Sequence, residues 1–166
     1  MIKIKKLTER HLKDAKALAN SIFRYEKIPP GVALEASLDK QKFKIMNLGE
    51  KNKISTLEYF VAVDRKEKLL GISGLYSLDT DKENTYWLGW YCVDLKHRGK
   101  GIGGKLLDYV IRKVGSRGKK FLRLYTSPSD DEKKALKVYD SRGFKTIRKK
   151  KDKRSKYEII YQELIL

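Results

Sequence analysis

The chain has 166 residues, and its 39 Lys and Arg against 21 Asp and Glu leave a net charge of +18; a domain of this size buries roughly 70% of the surface its unfolded form exposes. No stretch reaches the run of about 18 apolar residues that a membrane helix needs, and MIKIKKLTER has no apolar signal core, so the chain reads as cytoplasmic. A lone Cys92 excludes an intramolecular disulfide, no zinc spacing exists with only His11 and His97 beside it, and the positive excess is either a solvated lysine-rich surface or favours anionic partners: a polyphosphate cofactor, a nucleic acid or a ribosomal surface.

IKIKKL, residues 2–7, alternates like a strand. Thr8 follows as an N-cap, and Leu12, Ala15, Leu18, Ala19 and Ile22 share one face of a helix that stops before Pro29-Pro30-Gly31. A second, less regular helical stretch runs from Leu34 to about Leu48 and carries Leu38, Phe43, Ile45 and Met46. EYFVAVD (58–64) and LLGISGLYSL (69–78) form a hairpin closed by RKEK, and the polar loop DTDKEN follows. YWLGWYCV (86–93) is apolar on both strand faces, as expected of a central strand covered on each side. Gly89 within it marks a bulge, a close backbone approach or a plain packing position.

The next stretch, HRGKGIGGKLL (97–107), satisfies three phosphate-binding templates in part. Gly99 to Lys105 spells the P-loop pattern, but a P-loop needs Ser or Thr after its lysine to hold magnesium, and Leu106 stands there. Gly99, Gly101 and Gly104 spell a dinucleotide fingerprint, but the acid required about 20 positions on is replaced by Tyr125-Thr126-Ser127. The third template, Arg98-x-x-Gly101-x-Gly103, survives. Amides of a glycine turn entering a helix N-terminus can cradle a pyrophosphate, and Arg98 and Lys100 add positive charge.

Leu106, Leu107, Val110, Ile111 and Val114 then recur at helical spacing, and FLRLYT (121–126) resumes a strand, completing a βαβ unit. Ser129 and Glu132 read as a capping box for a last helix through Asp140, ended by Gly143. FKTIRKK and KYEIIYQELIL are two more strands around a basic turn, 148–156, where Arg148, Lys149, Lys150, Lys151, Lys153, Arg154 and Lys156 face one acid, Asp152.

VDLKHRGKGIGGKLL resembles the acetyl-CoA-binding motif of the GNAT superfamily of N-acetyltransferases, and ALKVYDSRGF (135–144) resembles that family's A-x-x-x-Y-x-x-x-G-F. The resemblance implies a mixed α/β fold: a central, mostly antiparallel mixed sheet of about six or seven strands in a single domain, helices on both faces, and a splayed parallel pair around acetyl-CoA. It implies direct transfer of an acetyl group from acetyl-CoA to an amine of a protein, peptide or small molecule by a monomer or homodimer. Arg98, Gly99, Lys100, Gly101, Ile102 and Gly103 would then surround the pyrophosphate, and Tyr91, Cys92 and Val93 would line the pantetheine arm. Tyr139 falls on the motif tyrosine, as the acid for the departing thiolate or as a packing residue, and a main-chain N–H near Tyr91 or Cys92 would stabilise the oxyanion.

Relatives often carry a glutamate on the central strand, whereas 86–93 has no carboxylate; Asp81 or Glu83 in the preceding loop could act through water. His97 reads as a surface residue beside the turn, Cys92 as a small buried apolar one, and Glu132 stands where relatives often have an asparagine. By the same resemblance, segments 24–36 and 148–156 frame the acceptor. The basic turn suits an anionic macromolecule that bears the acceptor amine, or steers CoA, and the alternative function is a non-catalytic CoA-sensing or basic nucleic-acid- or ribosome-associated binding module.

Overall fold

Residues 1–130, 132–153 and 155–166 are described by the structure, a computed structural model; Arg154 of the basic turn lies outside them. The elements are β1 (Lys3–Lys6), α1 (Glu9–Ile22), α2 (Pro30–Ala36), α3 (Lys40–Met46), β2 (Ile54–Val63), β3 (Leu69–Leu78) and β4 (Thr85–Val93). After a short helical turn (Leu95–His97) come α4 (Ile102–Ser116), β5 (Phe121–Thr126), α5 (Lys133–Ser141), β6 (Lys145–Lys151) and β7 (Glu158–Ile165). The strands form one sheet in the order β1-β2-β3-β4-β5-β7-β6. Only β4 and β5, joined through the crossover helix α4, run parallel among the described residues. The mixed α/β sheet with one parallel pair expected from the resemblance is the one observed, with seven strands.

Helices cover both faces. Leu107, Val110 and Val114 of α4 and Tyr139 of α5 pack with Phe144 over Phe60, Leu75, Leu88, Leu122 and Leu124. On the other face Ala15 and Ala19 of α1 and Leu34 of α2 cover Tyr59, Val61, Ile72 and Cys92. Burial on both sides explains why the middle strands carry apolar residues at successive positions. Each fully buried Leu or Val contributes about 1.5–3 kcal/mol relative to exposure, so the α4 stripe fixes that helix against the sheet. Among the described residues no helix is long and apolar enough to cross a membrane.

Three local readings change. The helix expected over 34–48 is two helices: α2 begins earlier, at Pro30, whose fixed φ suits a first helical position. The chain restarts at α3 because the Asp39 carboxylate accepts from the Gln41 and Lys42 amides at 2.8 and 3.0 Å, a cap that outweighs continuation. The capping box of Ser129 and Glu132 does not form: Glu132 Oε2 accepts instead from the Ser127 amide at 2.5 Å and from its hydroxyl, tying the end of β5 to the start of α5. Thr8 is the N-cap of α1 by position, but its side chain makes no capping bond.

The feature that positions the site is in β4. Ser73 pairs with Tyr91 and Leu75 with Leu88, so two residues of β3 span three of β4, a bulge at Gly89–Trp90. The extra residue flips the strand's parity. Leu88 and Tyr91 both face α4 and α5, while Trp90 and Cys92 face α1 and α2. At the same place β4 leaves β5: the parallel pairing ends at Trp87 and Arg123, while β5 continues against β7 as far as Thr126.

Candidate functional site

Two of the turn glycines have no packing role. Gly99 and Gly101 take φ of 76° and 74°, which L side chains rarely adopt, and a β-carbon at either would meet nothing within 4 Å. A glycine kept only for close packing would have neighbours; these two keep a conformation and an open concavity. Lys105 N–H makes the first backbone bond of α4, to the Gly101 carbonyl at 3.1 Å, and among the described residues no side chain caps the helix. The amides of Ile102, Gly103 and Gly104 therefore face the concavity without an intrahelical partner. Free amides at the positive end of a fifteen-residue helix, in an open glycine turn, fit a phosphate group.

The other turn residues divide by role. The Ile102 side chain is buried with Ala62, Leu70 and Leu106, anchoring the first turn of α4, so only its main chain faces the turn. Arg98 folds back, its Nε donating to the Val93 carbonyl at 3.2 Å, and Lys100 is exposed. At Gly103 a β-carbon would lie 2.6 Å from the Tyr91 hydroxyl, so this glycine admits the phenol onto α4. His97 sits in the helical turn with Nδ1 3.4 Å from the Asp94 carboxylate.

Tyr91 also meets Tyr139, their ring centroids 5.8 Å apart, and Tyr139 packs on Phe144 at the same separation. The structure thus brings together the glycine turn, Tyr91 and Tyr139 on the α4–α5 side of the splayed strands. Burial, with Tyr91 and Glu132 adding to it, holds the Tyr139 phenol well above its ordinary value. Burial likewise raises Tyr91, against the opposing pull of Arg142, which is itself bonded to Asp108 at 3.0 Å. Both remain protonated near neutral pH.

Cys92 points to the opposite face and is 5% exposed, so it offers only its main chain to the gap. Burial pushes its thiol up to about 12. The expected result is that iodoacetamide leaves Cys92 unmodified in the folded chain at about pH 8 and alkylates it after unfolding, since the thiolate is the nucleophile. Mass spectrometry of the treated protein checks this, and rapid native alkylation would show the thiol to be accessible.

The Asp81 carboxylate is committed to the sheet. Asp81 accepts from the Trp87 indole at 2.9 Å and from Arg123 at 3.5 Å, which holds it against the sheet. Glu83 contributes its main-chain carbonyl to Lys119. On the α1–α2 side, Trp90 packs on Phe23 with centroids 4.8 Å apart, and Tyr25 in the α1–α2 connection is 99% exposed. Sequence reasoning missed Gly74, which lies opposite the bulge with backbone atoms against Gly89; a glycine in each of two neighbouring strands was the available signal.

The profile of the Acetyltransferase (GNAT) family matches residues 21–144. The structure is similar to that of a GNAT-family protein from Desulfovibrio desulfuricans, with TM-score 0.78 and 18% identity over 99% of each chain. It is also similar to the ribosomal-protein-S18-alanine N-acetyltransferase of Escherichia coli, with TM-score 0.67 and 19% identity over 99% of this chain and 94% of that one. With the spermidine/spermine N-acetyltransferase of Vibrio cholerae the TM-score is 0.68 at 15% identity, over 99% and 95% of the chains. At these identities the likeness is one of fold. No curated protein matches the sequence.

Proposed function

Because the chain belongs to the GNAT family of acetyltransferases, we propose that it is an acetyl-CoA-dependent N-acetyltransferase passing the acetyl group directly to an amine acceptor. One coincidence carries the reading: an uncapped helix N-terminus behind an open glycine turn stands at the end of the same strand whose bulge opens a gap toward β5. A long ligand with a phosphate-rich head and a narrow arm fits both.

Acetyl-CoA, when bound, supplies an acyl group activated as a thioester. The amides of Ile102, Gly103 and Gly104 and the charges of Arg98 and Lys100 hold the pyrophosphate. The main chain of Tyr91, Cys92 and Val93 lines the arm, and a main-chain N–H at this bulge stabilises the oxyanion. Tyr139 donates its O–H toward the departing sulfur. Its phenol is held above 10 whereas an ordinary thiol titrates near about 8.5, so complete proton transfer is uphill, and its role is a hydrogen bond that strengthens as negative charge builds. β4 carries no carboxylate, so no acid on the strand takes the proton of the amine directly. Calorimetric titration with CoA, followed by acetyl-CoA turnover against amines, polyamines, peptides and ribosomal proteins, tests the reading; absence of CoA binding overturns it.

The acceptor is an amine on a larger anionic object. All seven residues of β6 are exposed, and Lys145, Arg148, Lys149, Lys150 and Lys151 lie along an edge strand that continues into Lys153 and Lys156. So dense a cationic edge repels free polyamines and attracts nucleic acid or a particle built on it, in keeping with the ribosomal protein in the name of the Escherichia coli neighbour. Changing Lys149, Lys150, Lys151 and Lys153 together to serine is expected to abolish binding of a generic RNA, steeply salt-dependent in the wild type, while CoA affinity stays the same. Titration of both ligands at two salt concentrations checks this. Unchanged RNA binding would reduce the strand to a charged edge that blocks pairing with another chain.

A further inference from the structure

We propose that Arg142 is a further phosphate-binding residue: held across Gly104 by Asp108, its guanidinium forms the cationic wall of the α4 turn that receives the ligand's pyrophosphate. The proposal rests on the acetyltransferase reading for the identity of that ligand, while the anion site itself stands on the geometry of the turn.

Gly104 is the glycine that the open turn does not explain. It lies within α4 without a left-handed backbone, and a helix that opens on Ile102, Gly103 and Gly104 forfeits helix propensity twice in its first turn. What the residue provides is space. A β-carbon at Gly104 would lie 2.5 Å from Arg142 Nη2 and 3.4 Å from Cζ, just as one at Gly103 would meet the Tyr91 hydroxyl. Consecutive glycines thus admit two side chains onto the first turn, the phenol from β4 and the guanidinium from the end of α5. An amide nitrogen and the β-carbon of the same residue are two bonds apart, so Arg142 Nη2 lies within about 5 Å of the Gly104 nitrogen, one of the amides that face the concavity without an intrahelical partner.

The guanidinium is also oriented. Nε and Nη2 donate to the two carboxylate oxygens of Asp108, one turn further along α4, at 3.0 and 3.2 Å, and Nη1 donates to the Ser141 hydroxyl at 2.9 Å. Among the described residues these bonds use three of its five N–H donors and leave one on each terminal nitrogen. A planar cation fixed in this way offers a phosphate two charge-assisted donors with little further ordering. As a staple between helices the pair is weak, because its side chains are 30% and 41% exposed and ion pairs at such exposure add little to stability. Arg98, by contrast, directs its Nε back to the Val93 carbonyl. Arg142 follows Tyr139 by three residues, so one short segment brings a hydroxyl to the acyl end of the site and a charge to its phosphate end.

Calorimetric titration of the whole chain with CoA, and separately with inorganic pyrophosphate, tests the proposal. Arg142→Gln is expected to weaken both by about tenfold or more, and to make the fall of CoA affinity with added salt shallower. Asp108→Asn breaks the same ion pair but takes a negative charge away from the turn and keeps an oxygen to accept from Nε. Its CoA affinity is therefore expected to exceed that of Arg142→Gln by about tenfold or more, at a similar thermal midpoint. Gly104→Ala favours the helix and displaces the flexible end of Arg142, so it is expected to hold or raise the thermal midpoint while weakening CoA by about fivefold or more. It carries the test should Arg142→Gln not fold. Wild-type CoA affinity in Arg142→Gln or in Gly104→Ala overturns the proposal. Equal losses in Arg142→Gln and Asp108→Asn also overturn it, by reducing the pair to a staple between α4 and α5. A wild type that binds pyrophosphate but not CoA, with Arg142→Gln weaker, supports the anion site and counts against the acetyltransferase reading; a wild type that binds neither overturns both.

Discussion

Replacing Gly101 with aspartate is expected to abolish CoA binding in a chain that remains folded. Position 101 has φ of 74° and nothing within 4 Å of a β-carbon, so the new side chain enters the concavity without displacing protein atoms. Aspartate tolerates the left-handed region better than most residues and is a favoured N-cap, so its carboxylate can bond the free α4 amides itself. That is what makes the substitution severe for the ligand: it fills the cradle, uses its donors and adds a negative charge where a pyrophosphate would lie. The affinity loss is expected to reach about 100-fold or more, or at least about 2.7 kcal/mol, with the thermal midpoint little changed. Gly101→Ala adds strain without the charge and is expected to lose much less. Calorimetry showing the same CoA affinity in Gly101→Asp and wild type would remove the glycine turn from the binding site.

Tyr139→Phe is expected to lower turnover by about ten- to a thousand-fold, reaching the range for losing one hydrogen-bond donor to developing charge, with CoA affinity little changed. The substitution leaves the ring packed between Tyr91 and Phe144 and removes only the hydroxyl. Because burial holds this phenol above its ordinary value, the wild-type hydroxyl stays protonated throughout an assay between about pH 6 and 9, and the loss is expected to be uniform across it. The sign for stability follows from the same shift. The folded state keeps a proton that the unfolded state gives up, so any stability this group contributes declines only above about pH 10, outside the assay range. A variant with wild-type turnover at every pH would leave Tyr139 a packing residue at 6% exposure.

What was legible in the chain was what local chemistry determines. The glycine turn could be read because a left-handed backbone at an uncapped helix start calls for glycine at Gly99 and Gly101 whatever surrounds them. The stripe of Leu107, Val110 and Val114 and the apolar run of β4 could be read because burial on one face or two leaves a period in the sequence. Motif residues near one another in sequence, such as Tyr139 and Phe144, came out in one cluster for the same reason.

Tertiary structure decided whatever depends on which strands are neighbours. Asp39 suits a helix interior poorly and a cap well, but the break it makes depends on where α2 must stop to cover the sheet. The Glu132 carboxylate had a cap to fill by spacing and found the end of β5 instead, because folding brings Ser127 within reach. Tyr91 and Cys92, adjacent in sequence, both looked like lining for the ligand's arm, yet only the bulge's register decides that one side chain meets Tyr139 and the other is buried behind the sheet. Tyr59 shows the limit most plainly. Its sequence neighbourhood reads as ordinary strand, and its hydroxyl reaches the bulge only because Gly74 and Gly89, fifteen positions apart in the chain, lie side by side once β3 and β4 pair. Composition and periodicity record how a residue is buried; against which atoms it is buried is a property of the packed sheet alone.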